Sequence, residues 1–506
     1  MILNLIFGSF ALLSFALTLW QWLVARRFPL HQRVTEDNLR PSPVGGRSEP
    51  AHASSPCPSP LTPYPSISLL KPLKGCDSST EDCLRSWFSQ QYNGPTQILF
   101  GVAAIDDPVC GIVRKLLQEF PGSDAQLVIG TPLRGTNAKV AKLVELEHMA
   151  KHDLLVISDA DVLVPPDFLS NIVAPLCEGQ RSTPRQGSAD VQSAVSPICN
   201  QQGVVRSQDS GSYSRPAEYD SAIQQIENLH YSSEVPGSGL VCCFYRLANP
   251  TTLAMQWEAI AINADFWSQV LQSRSLKPID FALGAVMATR RRQLEEIGGF
   301  ASLVDCLADD YQLGNRIARR GHAIALSPVV VECWSAPMDW AAVWKHQLRW
   351  ARTIRVCQPA PYFFSLLSNA TIWPLLWLIV SPGAAALACA LCCCLVRILT
   401  ALALQQRLNH PRTPPASPVL TQPPHEVPQP PSQALWRYAW LIPVKDLLQA
   451  ALWLLAFLGN RIEWRGQRMR LRPDGTLELL NQPLGVPVED VHCSVARHRR
   501  GKQQHR

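Results

Sequence analysis

The stretch LVISDADVLVPPDFL, residues 155–169, decides the fold. An aliphatic run of strand length gives way to Asp159-Ala160-Asp161, then to a second apolar patch and to Pro165, Pro166 and Asp167. A run that is apolar without alternation is what a strand buried on both faces requires. Carboxylates at i and i+2, where such a strand leaves its sheet, can turn toward one site. Oxygen ligands of that kind suit a hard divalent cation, Mg²⁺ or Mn²⁺, bridging a diphosphate; paired aspartates also cap turns. Working outward, strand patterns recur at 66–70, 97–104, 127–129 and 324–331, with helical patterns at 109–120 and 138–151 between them. Alternating strands and helices predict an α/β domain with a mostly parallel sheet, whose ligand site lies outside the carboxyl ends of the strands.

Two further acidic pairs fall at such ends. Asp106 and Asp107 follow the strand at 97–104 and precede a helix starting near Pro108. Either can cap that helix or accept hydrogen bonds from a nucleobase or ribose. Asp309 and Asp310 open a helix that ends before Gly321; a carboxylate there caps the helix or takes a proton from an attacking hydroxyl. KHQLRWAR, residues 345–352, is dense in cations and aromatics. Arg349 can hold a diphosphate bidentately and Trp350 can floor an acceptor site, or the whole helix can bind lipid headgroups.

The 506-residue chain is 47% hydrophobic and 17% charged, against about 25% charged in a soluble globular domain. Membrane insertion is the simplest cause. The net charge of +6 is small for the length, and the arginines gather beside apolar segments and after Arg461, so a nucleic-acid partner is not expected. No obligate protein partner is indicated. The 16 cysteines, several in apolar runs, read as reduced thiols. The expected organisation is an N-terminal transmembrane anchor (1–25), a Pro/Ser-rich linker (37–65), a catalytic domain (66–357) carrying a disordered insertion (178–237), and a transmembrane helical hairpin (363–404). A second Pro-rich linker (408–432), an interfacial or transmembrane segment (435–459) and a basic tail (460–506) follow. Arg437, Lys445 and Asp446 place the first half of 435–459 at the membrane interface, because charge at membrane depth is costly. Arg26, Arg27 and Arg33 place the domain after the anchor in the cytoplasm. Counting every apolar segment as a span puts the tail on the side its arginines disfavour, so the tail's side stays open.

Taken together, SLLKPLKG (68–75), IDDP (105–108), TNAK (136–139), SDADVLVPPDFL (158–169), GAVMATRR (284–291), LADDYQLG (307–314) and HQLRWARTIR (346–355) resemble the ceramide glucosyltransferase family, and within it the bacterial members associated with hopanoid biosynthesis. The resemblance covers most of 66–355 and extends weakly to WRGQRMRL at 464–471. It implies a GT-A fold with N-terminal and C-terminal transmembrane helices, a UDP-sugar donor, a divalent metal and inversion at the anomeric carbon. It also implies an integral, multi-pass membrane enzyme moving a hexose to a membrane lipid hydroxyl, with a ceramide- or hopanoid-like acceptor. By position, Lys71, Asp106 or Asp107, and Lys139 would contact the nucleotide, Asp159 and Asp161 the metal diphosphate, and Asp310 would be the base. His346, Arg349 and Trp350 match the family's (Q/R)xxRW motif, with histidine replacing the usual first residue. A processive polysaccharide synthase shares these motifs but needs more spans for a secretion channel. A catalytically dead scaffold, docking partners through 411–431, is opposed by retention of every acidic pair.

Overall fold

The structure, a computed structural model, describes residues 2–33, 64–130, 135–178, 238–409, 436–464 and 467–480. The expected linkers and insertion lie outside the described residues except at 64–65, 178 and 408–409, as does the tail beyond 480.

Eight segments pair into one sheet: β1 (Ile67–Pro72), β2 (Thr96–Val102), β3 (Asp124–Ile129), β4 (Leu154–Ser158), β5 (Val162–Leu163), β6 (Leu240–Leu247), β7 (Val286–Arg290) and β8 (Ile324–Cys333). Their order is β3-β2-β1-β4-β7-β6-β8-β5. The half β3-β2-β1-β4 is parallel, as is β6 with β8, while β7 runs antiparallel to both its neighbours and β5 antiparallel to β8. This mixed, mostly parallel sheet agrees with the GT-A fold that the resemblance implies. Every residue of β1 and β4 is buried, as strands covered on both faces must be. Their side chains alternate: Ile67, Leu69, Ile98, Phe100 and Val156 pack with α2 (Thr80–Phe88), α3 (Val109–Glu119) and α5 (Phe168–Glu178). Leu70, Leu99, Leu155 and Ile157 instead meet α4 (Ala138–Met149) and a long helix built from α6 (Leu253–Ile260), a π-helical turn at Ala261–Phe266, and α7 (Trp267–Arg274).

The same core continues into the apolar helices. Ala25 at the end of α1 (Ile2–Arg27) joins it; so do Ala401, Leu402, Leu404 and Leu408 of a helix at Ala384–Asn409. Gln21 of α1 donates to Ser268 of α7 at 2.7 Å. Among the described residues, Ile2–Arg27 and Ala384–Asn409 are long and apolar enough to cross a membrane.

The first arm of the expected hairpin is not one straight span: Pro359–Ser368 and Ile372–Val380 meet at 58°. The break has a local cause, since the Asn369 side chain accepts from the N–H groups of Thr371 and Ile372 and starts a new helix there. Lys445 and Asp446, expected at the membrane interface because charge at membrane depth is costly, have buried counter-charges in place of water. On the helix Leu441–Phe457 they are buried against Arg397 and Asp265. The guanidinium of Arg397 donates to both Asp265 oxygens and both Asp446 oxygens at 2.9 Å, and Lys445 pairs with Asp265. Thr371 and Asn369 donate to the side chain and carbonyl of Asp446, each at 2.8 Å, so this quartet also pins the helix break.

The segment expected as a basic tail starts with folded structure. β9 (Arg461–Trp464), β10 (Gln467–Leu471) and β11 (Leu477–Leu479) form an antiparallel sheet. Within QRMRL the arginines face out while Met469 and Leu471 are buried with Ile462, Leu477 and Leu307, the period-two pattern of a half-buried strand. This small sheet is stitched to the loop before Asp309: Leu477 N–H donates to Asp305 O at 2.8 Å and Leu307 N–H to Gly475 O at 3.2 Å.

Candidate active site

Where β4 leaves the sheet, its backbone is held from both sides. The Lys71 ammonium, fully buried over the Trp87 ring, donates to Ser158 Oγ (3.2 Å) and to the Asp159 carbonyl (2.5 Å). Burial pulls this amine down to about 8. Lys71, expected beside the nucleotide, thus holds the backbone of the turn, and its side chain is buried. From the other side, Trp334 N–H donates to Asp161 O at 2.9 Å.

Lys139 reaches the same turn from α4. Asn137 caps that helix, accepting from the N–H groups of Lys139 and Val140, and its amide donates to Cys306 O at 2.7 Å. Thr136 N–H donates to Asp305 at 2.9 Å. These bonds draw the start of α4 against the loop leading into α8 (Asp309–Arg319). As a result Lys139 Nζ lies 2.7 Å from Asp159 Oδ1 and 3.0 Å from Asp309 Oδ2. Burial alone would weaken the ammonium, but Asp159 and Asp309 outweigh it and raise its pKa. Sequence reasoning missed Asp309 as the anionic partner.

Asp161 and Asp310 flank this bridge. Asp161 is exposed to solvent, although protein surrounds much of its carboxyl. Desolvation, with Asp159 beside it, pushes its carboxyl up to about 6. Asp310 is half-buried and likewise raised to about 6, by burial and then by Asp309. One of its oxygens accepts from Tyr311 N–H at 2.8 Å; the other faces Gly284, where a Cβ would stand only 2.7 Å away. The glycine of GAVMATRR is thus the room the carboxylate occupies.

Asp107 takes the structural option. Its oxygens accept from Gly75 N–H at 2.9 and 3.1 Å and from Val109 N–H at 3.1 Å, tying the loop after β1, where Gly75 has φ +66°, to the start of α3. Asp106 is exposed.

The motif 346–350 lies on α9 (Trp340–Cys357). His346 Nδ1 lies 2.6 Å from Glu258 Oε1, which also accepts from Gln347 at 2.9 Å. Glu258 is 1% exposed, and a lone acid in the apolar run LAMQWEAI was the signal that a buried partner must exist. Trp350 stands edge-on to His346 with centroids 4.9 Å apart and 6.1 Å from Phe266, which is 5.4 Å from Tyr245. Burial raises the Tyr245 hydroxyl well above its ordinary value, with Cys333, Asp310, Asp159 and Glu258 adding to it. Tyr245 lies on β6, which pairs with β8, the strand whose Cys333 meets Val162 beside Asp161, and nothing in its strand pattern marked it. Arg349 is turned toward the small sheet, its guanidinium 5.8 Å over the Trp464 ring.

The cleft fits a hard cation. Asp159 and Asp161 could supply carboxylate oxygens, and the charge of Asp159 adds to the burial that raises Asp161, a repulsion that a cation would relieve. Among the described residues no cluster of three or more acidic, His or Cys side chains forms a complete cage, so other ligands would come from water and phosphate, the usual habit of Mg²⁺.

A sequence model of glycosyl transferase family 21 matches residues 16–183 and 221–477. Ceramide glucosyltransferase of Candida albicans is 32% identical over 124 residues, 22% of this chain and 23% of that protein. Ceramide glucosyltransferase 3 of Caenorhabditis elegans is 21% identical over 265 residues, 52% of this chain and 45% of its own length. The matches thus span less than half the length of these curated relatives. Among solved structures, a Pyrobaculum calidifontis mannosyltransferase in complex with GDP-mannose and Mn²⁺ aligns with TM-score 0.42 and 18% identity, covering 80% of this chain and 96% of that one.

Proposed function

Because the chain belongs to glycosyl transferase family 21, we propose that it transfers a hexose, of glucose or N-acetylglucosamine type, from a UDP-sugar to the hydroxyl of a membrane lipid, with inversion at the anomeric carbon. The observation that carries this reading is the Lys139 bridge, which joins the Asp159 turn to the helix bearing Asp310. A divalent cation held by Asp159 and Asp161 would neutralise the charge that the departing diphosphate develops. Lys139 adds a fixed positive charge beside it. Asp310 accepts the proton of the acceptor hydroxyl while that oxygen bonds to the anomeric carbon and the bond to the diphosphate breaks. A carboxylate near 6 is ionised at neutral pH yet basic enough for the task. Asp107 supports the donor side through the loop it ties, and His346, oriented by Glu258, borders the acceptor side with Trp350.

The acceptor class is supported by the ceramide glucosyltransferase relatives and by helices long and apolar enough to cross a bilayer; ceramide and a hopanoid polyol both fit it. The protein is read as multi-pass with its catalytic domain in the cytoplasm, from Arg26, Arg27 and Arg33 after the anchor. Docking of β9–β11 on residues 305–307 returns the chain to the catalytic domain's side. An even number of crossings then separates Cys357 from Arg461: Ala384–Asn409 and one partner, which removes the conflict over the arginines.

The test is to reconstitute the full chain in phosphatidylcholine nanodiscs, supply labelled UDP-sugars with Mn²⁺ or Mg²⁺ and either ceramide or a hopanoid polyol, and identify the product by mass spectrometry and its anomer by NMR. A singly glycosylated lipid of inverted configuration is expected. Absence of transfer to every lipid, with no UDP-sugar binding, would overturn the reading.

A further inference from the structure

Between the catalytic domain and the apolar helices opens a chamber of about 150 Å³, smaller than the 300–1,000 Å³ or so of pockets that enclose a whole ligand and so of a size for a head group rather than an entire lipid. Its walls are apolar where they face the helices: Ile354, Leu366, Leu404 and Trp453. Its inner end is closed by Phe266 and Trp350, whose other neighbours are Tyr245 and His346. Beyond that aromatic pair stands Tyr245 of β6, the strand paired with β8, whose Cys333 meets Val162 beside Asp161. Its polar lining is the quartet of Asp265, Arg397, Lys445 and Asp446, with Gln449 beside it.

Resting on the reading given above, we propose that this chamber is the acceptor's binding site and that it selects amphiphiles with an uncharged, hydroxyl-bearing head. The quartet carries two cations and two anions already paired with one another, so the chamber offers no net charge. A phosphate or ammonium head would arrive there unpaired, which burial makes expensive. A hydroxyl or amide instead uses the acceptor site left on Asp265 Oδ1, or the amide of Gln449, and brings no unpaired charge with it. The head sits beside the quartet, the apolar body runs along Leu366 and Trp453 toward the bilayer, and displacement of Trp350 or Phe266 delivers the hydroxyl to the cleft. The π-helical turn is what aims Asp265 and Phe266 at the same cavity from one short segment, a common use of such turns.

The test fills the chamber without touching the cleft. In nanodiscs, the full chain is photolabelled with a diazirine-bearing ceramide, and UDP-sugar affinity is measured in parallel for the wild type, Ala450→Phe and Leu366→Trp, two lining positions on separate elements. Labelling of the wild type should map to 359–369 and 441–457, be competed by unlabelled ceramide and not by phosphatidic acid. Both variants should lose labelling and lipid transfer at least tenfold with UDP-sugar affinity unchanged, which also certifies their folding. Labels confined to the outward faces around Leu391 and Leu395, insensitive to both variants, would overturn the chamber while leaving the proposed transfer intact; equal competition by phosphatidic acid would overturn its selectivity. Chamber labelling without any UDP-sugar binding would overturn the transferase reading alone.

Discussion

Replacing Gly284 by alanine asks whether the position of the Asp310 carboxylate, and not merely its presence, sets the rate. An added Cβ would lie 2.7 Å from Asp310 Oδ2, 3.1 Å from Cγ and 3.2 Å from Cβ. Relaxed contacts between such atoms lie near 3.5 Å, so the oxygen must retreat by about 0.7 Å or more and the whole side chain by a few tenths. The nearest atom is the end of a side chain, so the fold can absorb the change. The base cannot, because a misplacement of about 1 Å can cost on the order of 100-fold in rate. Gly284→Ala should therefore lower kcat for lipid transfer by roughly 10- to 100-fold while leaving UDP-sugar affinity within about twofold, less than the loss of roughly 100- to 10,000-fold expected from removing a general base outright. The contrast is Gly314→Ala, whose Cβ would meet the backbone nitrogen of Ala282 at 2.3 Å. No rotamer relieves that, so the variant should be lost to misfolding instead. Steady-state transfer in nanodiscs, with donor affinity by calorimetry, decides the case: wild-type kcat in a folded Gly284→Ala protein would refute the assignment of Asp310 as a positioned base.

Asp310→Asn should abolish transfer with donor binding retained; near-normal turnover would remove Asp310 from the chemistry. With Asp310 raised to about 6 and needed as the anion, kcat should fall as pH drops through about 6 and level off above it, and a rate that rises on acidification would contradict the base role. Asp161→Ala should lose metal-dependent UDP-sugar binding, visible as equal affinity with Mn²⁺ and with chelator. Arg397→Met leaves Asp265 and Asp446 sharing one lysine, and breaking such a buried group typically costs about 3–5 kcal/mol; a shift in the thermal midpoint of less than a degree would show the quartet to be inert.

What could be read from the sequence was whatever local pattern controls. The strand at 155–158 and the acidic turn after it appear where the aliphatic run and Asp159 required, and the helix opened by Asp309 ends before Gly321 with φ +89°. Lys71, Lys139, Asp159, Asp161 and Asp310 gather about one turn, because open α/β sheets collect strand ends on one side. Their roles could not be read the same way: Lys71 is committed to the turn's backbone and Lys139 to two carboxylates, facts that depend on partners up to 170 residues away in number, Asp309 against Lys139.

The two places where reading fell short share a physical cause. A charged side chain in an apolar helix has two inexpensive options, water or a buried counter-charge, and sequence periodicity registers only the first. Lys445 and Asp446 looked interfacial because nothing within one helical turn opposes both; their partners Arg397 and Asp265 come from another helix and from a π-helical turn. Arg468 and Arg470 looked like a solvated tail for the complementary reason, since outward arginines dominate a five-residue strand whose inward positions are only Met469 and Leu471. In both cases the second segment supplies the missing half of a surface. The quartet closes the chamber wall, and the small sheet braces the loop at 305–307 from which Asp309 and Asp310 project. Residues past 440 thus act on the cleft from both flanks, and truncation before Leu441 should cost transfer even though every acidic pair is retained.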